Sequence, residues 1–584
     1  MSSDDSSVWR RHACVLGIVL LIVTVLASML SETGVMAATS TVDMVESHPD
    51  VIQRTGTDTS DHHEVPNVHW IWILPFALLL GSIAVVPLIN MHFWEHRYPW
   101  FAIVLGLITA VYYLCFFTQD LAASRQAWFH EMQEYISFIS LLGSLYVVSG
   151  GIMIQISRRG RPLTNTLILL VGAIIANVVG TTGAAMLLIR PYIRINRDHI
   201  KPYHIVFFIF TVANCGGCLT PIGDPPLFMG YLKGVPFFWV LQELWPMWAV
   251  CVALLLVVFF IVDSIATRKH QADPDGREEP ESAAGRRVEI YGTQNFLFIG
   301  LILLGVFRPS IFEVWASEQK YLLPLSREAL MTIAAIISKI TTKPFIYERN
   351  EFTYGPIKEV AILFVGIFST MVPALNYLNR HSDQMPLQTA GQYYFTTGIL
   401  SSMLDNAPTY LVFLETKRGS IVKQYSAEMT TIRFAVDSMT DGRQVDRQQL
   451  RNKYINTRLR TEGQSDDAYT TQVDLAVEQI EIAIHALQTH HRTKIATGQI
   501  TDDQLNIAFL FGHSVVGLFA VAISVGAVFF GAATYIGNGP NFMVKSIAES
   551  SGIAMPSFFG YLVRYSLPVL LPILLVIWFF FFRG

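Results

Sequence analysis

The chain has 584 residues, 52% apolar and 12% aromatic, with only 15% charged and a mean hydropathy of +0.42. A net charge of −4 without a basic domain argues against a nucleic-acid binder, the apolar content excludes disorder over most of the length, and five cysteines make no disulfide framework. A polytopic membrane protein remains if the apolar residues gather into spans of about 20.

They do gather. Ala13–Leu30 is an apolar core behind Arg10 and Arg11, followed by Val35-Met36-Ala37. This predicts a signal peptide or an uncleaved signal anchor over 1–37. A polar extracytoplasmic tail follows over 38–69. Its His62, His63 and His69 could ligate a metal, but a solvated tail is the stronger reading. The stretches 70–90, 99–118, 135–156, 163–189, 203–223, 295–307 and 360–378 contain no Asp, Glu, Lys or Arg. Three more blocks carry a single charge each: Glu243 in 236–262, Asp405 in 393–414 and Arg564 in 556–582. The block 506–544 carries none.

Basic residues mark the cytoplasmic side. Arg158, Arg159 and Arg161 precede the block 163–189, and Arg190, Arg194, Arg197 and Lys201 follow it. One crossing would leave one basic end outside, so a re-entrant hairpin over 163–192 is predicted. The loop holding Asp120, Arg125, Glu131 and Glu134 is net acidic and is assigned outside. A cytoplasmic linker is expected at 263–293. A mixed-charge extracytoplasmic helical insertion is expected at 417–504, with an amphipathic helix over 473–487.

The two halves repeat. Thr220-Pro221-Ile222-Gly223-Asp224-Pro225-Pro226-Leu227-Phe228-Met229 aligns with Thr534-Tyr535-Ile536-Gly537-Asn538-Gly539-Pro540-Asn541-Phe542-Met543. Thr, Ile, Gly, Pro, Phe and Met match, and Asp224 faces Asn538. Upstream of each copy lies an apolar block with a polar interruption, Asn177 to Thr181 in one half and Asp405 to Thr409 in the other. The predicted fold is an all-α polytopic membrane protein of two inverted repeats. Each has three helices, a re-entrant hairpin, a broken helix and a final helix. Repeat 1 spans 70–262, with its broken helix at 203–233. Repeat 2 spans 294–416, with its hairpin at 393–416, and 505–584, with its broken helix at 506–550. Such repeats build secondary transporters whose substrate site lies at the midplane.

Unpaired backbone groups at the breaks are tolerable only where protein, water or an ion satisfies them. Ionisable residues at membrane depth are functional candidates by default. Asp405 is the leading one, with helix N-capping as its structural alternative. Asp224 is the second, with an Asx-type turn as its alternative. Asn406, Thr409, Asn177, Thr181, Thr220, Thr534 and Asn538 add neutral oxygens, and Gly223 and Gly537 free backbone carbonyls. Together they suit a hard monovalent cation. Glu243 among tryptophans, a snorkelling Arg564 and His513 read as interfacial or structural. Cys215 and Cys218 form a CxxC too small for a zinc site; close backbone packing is the better account.

These motifs resemble the ion transporter superfamily. It includes NhaD-type sodium/proton antiporters, citrate transporters, arsenite permeases and divalent-anion/sodium symporters. The resemblance covers about Trp70 to Phe582, apart from linker and insertion. Asp405-Asn406 followed by Pro408 is similar to the Asp-Asn-x-Pro of the antiporters, whereas neither tip reads Ser-Asn-Thr as in the dicarboxylate branch. The resemblance implies sodium/proton exchange by alternating access, with Asp405 as the shared carboxylate. Coupled uptake of citrate or another dicarboxylate is the alternative. Expected partners are the lipid bilayer, sodium, protons and, under the alternative, a carboxylate. No cofactor, catalytic residue or structural metal is expected. The expected location is the bacterial inner membrane, and a homodimer is compatible.

Overall fold

A computed structural model describes residues 68–583 except 118–120, 157–159, 272–287, 308–325, 383–385, 459–464, 491, 499, 501 and 513. The signal segment, most of the polar tail, the middle of the linker and His513 lie outside these. The fold is all-α and polytopic. Among the described residues seven helices are long and apolar enough to cross a membrane: Trp70–Pro87, His96–Phe116, Pro162–Ile195, Pro202–Leu219, Phe237–Arg268, Gly355–Arg380 and Phe558–Phe581. Asn295–Val306 and Val516–Gly531 are shorter apolar helices.

One group of helices forms a frame: α1 (Leu74–Ile89), α2 (Met91–Val111) and α3 (Leu121–Gly150), with α8 (Asn295–Phe307), α9 (Ser326–Thr341) and α11 (Gly355–Arg380). Helices α2 and α11 cross closely because small residues face each other. A Cβ on Gly366 would sit 2.7 Å from the Ala102 carbonyl, and Ser369 Oγ donates to the Gly106 carbonyl at 2.8 Å. In lipid, such packing and interhelical hydrogen bonds hold helices together where hydrophobic burial cannot.

The second group holds the two polar-interrupted blocks and the two broken helices. Segment α4 (Pro162–Ile195) breaks at Gly180, whose φ of 78° and ψ of 157° are non-helical. A straight helix of that length would be about 50 Å long, yet its ends meet. Gly160 N–H donates to the Ile195 carbonyl at 2.7 Å, and Asn165 and Asn196 exchange amide bonds at 2.8 and 2.9 Å. The segment is therefore a hairpin. Its base is tied to α7 (Phe237–Gln271) through fully buried Asp263, which accepts from Asn165 (2.9 Å) and Tyr203 (2.7 Å) and meets His204 Nε2 at 3.1 Å. In the second block α12 (Ala390–Met403) and α13 (Asn406–Gln424) turn back at Leu404-Asp405, with Tyr393 edge-on to Phe413. Helix α13 continues to Gln424, past the boundary expected at 416.

The broken helices are α5 (Pro202–Thr211), a 3-10 turn Cys215–Leu219 and α6 (Pro225–Leu232) in one half. In the other they are α19 (Ser514–Gly531) and α20 (Gly539–Ser550). Both breaks fold alike. Thr220 Oγ1 donates to the Asn177 carbonyl (2.6 Å) and Thr534 Oγ1 to the Ser402 carbonyl (2.5 Å). Each threonine also receives its own glycine's N–H, from Gly223 and Gly537, at 3.1 Å. Cβ atoms added at these glycines would lie 2.0 Å from the Gly217 carbonyl and 2.6 Å from the Gly531 carbonyl. The matched glycines therefore answer a backbone-to-backbone contact.

Two expectations need correction. The span expected over 135–156 ends at Gly150, and Met153–Ile156 instead forms β1, antiparallel to β2 (Val288–Tyr291) of the linker. Gly151 allows the turn, because a Cβ there would meet Asn295 at 2.6 Å. The acidic segment assigned to an outside loop is the start of α3, and it buries Glu131 and Glu134. Their charge is met by Lys233 from a remote part of the chain.

The 417–504 region supplies α14 (Ser426–Thr440), α15 (Arg447–Thr457), α16 (Asp466–His490) and the short α17 (Arg492–Ala496). The amphipathic stretch lies in α16, with Val473, Val477, Ile480 and Leu487 buried and Leu475 exposed. Helix α18 (Asp502–Gly512) leads back to α19, and α22 (Leu571–Phe581) ends the fold. Glu243 and Arg564 are exposed.

Gly223→Ala and Gly537→Ala should each destabilise the detergent-purified chain by about 1–3 kcal/mol through overpacking. Gly539→Ala, with nothing within 4 Å of its Cβ position, should be neutral. Thermal unfolding of the three variants checks this.

Candidate ion-binding site

Hairpin tips and helix breaks converge on one side chain. Asp224 is 1% exposed. It stands at the N-cap of α6 but makes no capping bond: Pro225 and Pro226 remove the first two N–H groups of the helix, and both carboxylate oxygens are taken by other segments. Oδ1 accepts from Thr181 Oγ1 at 2.9 Å and from Asn538 Nδ2 at 2.9 Å. Oδ2 accepts from Asn406 Nδ2 at 2.7 Å. Thr181 opens the second arm of the first hairpin, Asn406 the second arm of the second, and Asn538 caps α20. Each of the four segments thus gives one residue, and all three donors are neutral. The residue matched to Asp224 in the repeat, Asn538, is bonded to it directly.

Four helix N-termini meet here: those of the second arm of α4, of α6, of α13 and of α20. Each end carries a partial positive charge and favours a nearby anion. The Asp224 carboxylate occupies that focus.

The other candidates divide by what their polar atoms touch. Asp405 caps α13, its Oδ1 accepting from Ala407 N–H at 3.1 Å, and it lies within electrostatic reach of Asp224. Both readings of Asp405 meet in one geometry, since the capping carboxylate also lines a cavity. Thr409 Oγ1 donates to the Asp405 carbonyl on its own helix. Asn177 gives its amide N–H to the Ala173 and Gly216 carbonyls and accepts from Leu219 N–H. Asn177, Thr220 and Thr534 therefore stitch tips to breaks. Gly223 contributes its carbonyl to Thr181 N–H at 2.8 Å. Gly537 packs against the Gly531 and Ser401 carbonyls. In the alignment the structure makes, Thr181 corresponds to Asn406 and Asn177 to Ser402.

The sequence reading missed Asn214 and Asn541. Asn214 donates to Asn541 at 2.6 Å and receives Asn538 at 3.1 Å, while Asn541 closes the freed carbonyls of Gly531 (2.8 Å) and Thr534 (2.9 Å). Asn541 stood in the repeat motif, opposite an apolar Leu227, which was the available signal. Cys215 and Cys218 are buried and free. Gly216 between them approaches the backbone of Ala173 and Thr211, as close packing requires.

Two cavities reach the site. A small one of about 20 Å³ is lined by Gly180, Thr181, Thr182, Gly223, Asp224 and Phe138. It has room for about one water-sized particle. Asn406 Oδ1 is a fully buried oxygen without a hydrogen-bond partner among the described residues. On the small cavity itself, the Asp224 carboxylate and Thr181 Oγ1 are the hard oxygens that small cations take. A larger cavity of about 440 Å³ runs between frame and core, from Asp405 and Asn538 past Tyr535 and Met186 to Arg190 and Glu351. It opens toward the arginine-rich ends of α4. No group of three or more His, Cys, Asp or Glu that could hold a metal occurs among the described residues.

The family described as “putative citrate transport” matches residues 65–582. The chain belongs to this family. Membership makes it a membrane transporter, consistent with the apolar spans. No curated protein matches the chain.

Thr181→Val removes one hydroxyl donor from Asp224 while keeping the side chain's shape. A hydrogen bond to a charged group contributes about 1.5–3 kcal/mol. If the transported substrate binds at Asp224, its apparent affinity should therefore change by about tenfold or more. Transport measured against substrate concentration reads this out.

Proposed function

We propose that the chain is a sodium/proton antiporter in which Asp224 exchanges a cation for a proton by alternating access between two inverted repeats. The observation that carries this reading is the placement of Asp224. Helix N-termini at a midplane site ordinarily await the anionic group of a substrate. Here the protein's own carboxylate fills that place, with neutral partners only. A ligand added there is best a cation.

Charge then couples the two ions. Protonated Asp224 is neutral, and Asp224 with a bound monovalent cation is neutral too. The empty anion carries an uncompensated charge, which is costly to move past the apolar frame. Only the two loaded forms cross, so one ion is exchanged for the other. The large cavity lies between frame and core, where a sliding of one against the other would open and close it. By the positive-inside reading it faces the cytoplasm. Asp405, at the inner end of that cavity, would receive the cation and pass it to Asp224.

A second reading, coupled uptake of citrate or a related carboxylate, is favoured by the family description. Arg190 lines the same cavity and supplies a cation for such a ligand.

In vesicles carrying a proton-sensitive dye, Asp224→Asn should abolish sodium-driven proton release, a loss of about a hundredfold or more. Asp405→Asn should keep a measurable part of it. Full exchange in Asp224→Asn, or labelled citrate uptake without sodium-driven proton release in the native chain, would overturn the antiport reading. Arg190→Gln should lower citrate uptake if the second reading holds and spare proton release if the first does.

A further inference from the structure

A second cluster of charge is buried at the far end of α6 from Asp224. Helix α3 contributes Glu131 and Glu134, which are 8% and 7% exposed. Lys233, at the C-terminal end of α6, places its ammonium 2.6 Å from Glu131 Oε1 and 3.0 Å from Glu134 Oε2. Glu415 on α13 pairs with Arg418 at 2.5 Å and lies within electrostatic reach of both Lys233 and Glu134. His130, more than half exposed, stands 3.6 Å from Glu134 Oε1 and one turn before it.

The count of charges is unequal. Among the described residues, Glu131 and Glu134 share one ammonium, that of Lys233, while Glu415 already has Arg418 beside it. All five side chains are largely enclosed. An uncompensated charge in such a place is costly, and the cheapest remedy is a proton. Glu131 Oε2 is buried without a hydrogen-bond partner among the described residues. It is an oxygen placed to accept or share that proton.

The location gives the cluster a role. It joins frame helix α3 to core helices α6 and α13 on the side of the 417–504 region. The large cavity lies on the opposite, arginine-rich side of Asp224. Along one face of α3 the order is His130, Glu134 and then Phe138, which lines both cavities.

We propose that Glu131, Glu134 and Glu415, with Lys233 and Arg418, form a second proton-binding site that holds the insertion-facing side shut, with His130 as its port to water. The site binds one proton as a unit. Losing it leaves a net negative cluster that loosens frame from core on that side.

The test uses the full-length chain in lipid nanodiscs, in a background of Asp224→Asn and Asp405→Asn that silences the tip carboxyls. Infrared difference spectra during a pH titration report the C=O stretch of protonated carboxyl groups. One carboxyl titrating above about pH 6, where exposed Asp and Glu are already ionised, should remain in that background. Adding Glu131→Gln, Glu134→Gln or Glu415→Gln should remove it in each case, because any one of them balances the cluster. Lys233→Met should bind the proton roughly tenfold more tightly or better. Absence of the titrating band in the background, or its persistence unchanged through all four variants, would overturn the proposal. If one glutamine variant fails to fold, the other two still decide. Since the tip carboxyls are absent throughout, a negative result here leaves the antiport reading standing, and failure of sodium-driven exchange leaves this proposal standing.

Discussion

A single buried carboxylate organises the centre of this molecule. Asp224 is held by three neutral donors from three separate segments. None of these donors is a sequence neighbour of Asp224, so their convergence requires the hairpins and breaks to be where they are. Gly180 turns the first tip, Gly223 lets the break close on Gly217, and Thr220 and Thr534 tie tips to breaks. Irregular backbone at the breaks is tolerable because the protein itself supplies partners, the threonine hydroxyls for Gly223 and Gly537 N–H and the Asn541 amide for the Gly531 and Thr534 carbonyls. Rigidity at the tips and neutrality around the carboxylate are two outcomes of one construction.

The division into frame and core follows from where charge can be enclosed. Within the frame the close crossing of α2 and α11 uses glycine, alanine and serine. Within the core, polar side chains stitch the hairpin tips to the helix breaks. Between them lie the larger cavity on one side of Asp224 and the ion-pair cluster on the other. A cavity on one side of Asp224 and an ion-pair cluster on the other are what the proposed alternating access needs in one of its two states. Neither has to be strong. A buried ion pair costs desolvation that its attraction only partly repays, so a modest change in its protonation can shift the balance between shut and open.

Much of this was legible in the sequence because it is periodic or repeated. The spans showed as stretches without charge, the first hairpin as a block basic at both ends, and the breaks as the aligned motifs around Gly223 and Gly537. The eleven site candidates stand out in the sequence by type and position, but the hydrogen bonds among them do not. Asp405 looked central because it interrupts a long apolar block, whereas Asp224 sits beside two prolines and resembles a turn residue. Only the third dimension shows that the Asp224 side chain turns away from its own helix and toward Thr181, Asn406 and Asn538. The threonines illustrate the converse. Their oxygens suit an ion, but the carbonyls of Asn177 and Ser402 had already claimed them.

The buried cluster escaped sequence reading for a related reason. Glu131 and Glu134 lie in a polar stretch, and their burial depends on Lys233, about a hundred residues away in the chain. A carboxylate without a partner in sequence reads as solvated, and one with a remote cation can be interior. The same argument explains why the shortage of charge in this chain is informative only in part. Charge absent from apolar blocks locates the spans. Charge present at their edges becomes interior wherever a counter-charge arrives from another segment, and those meetings are where a moving part can be held or released.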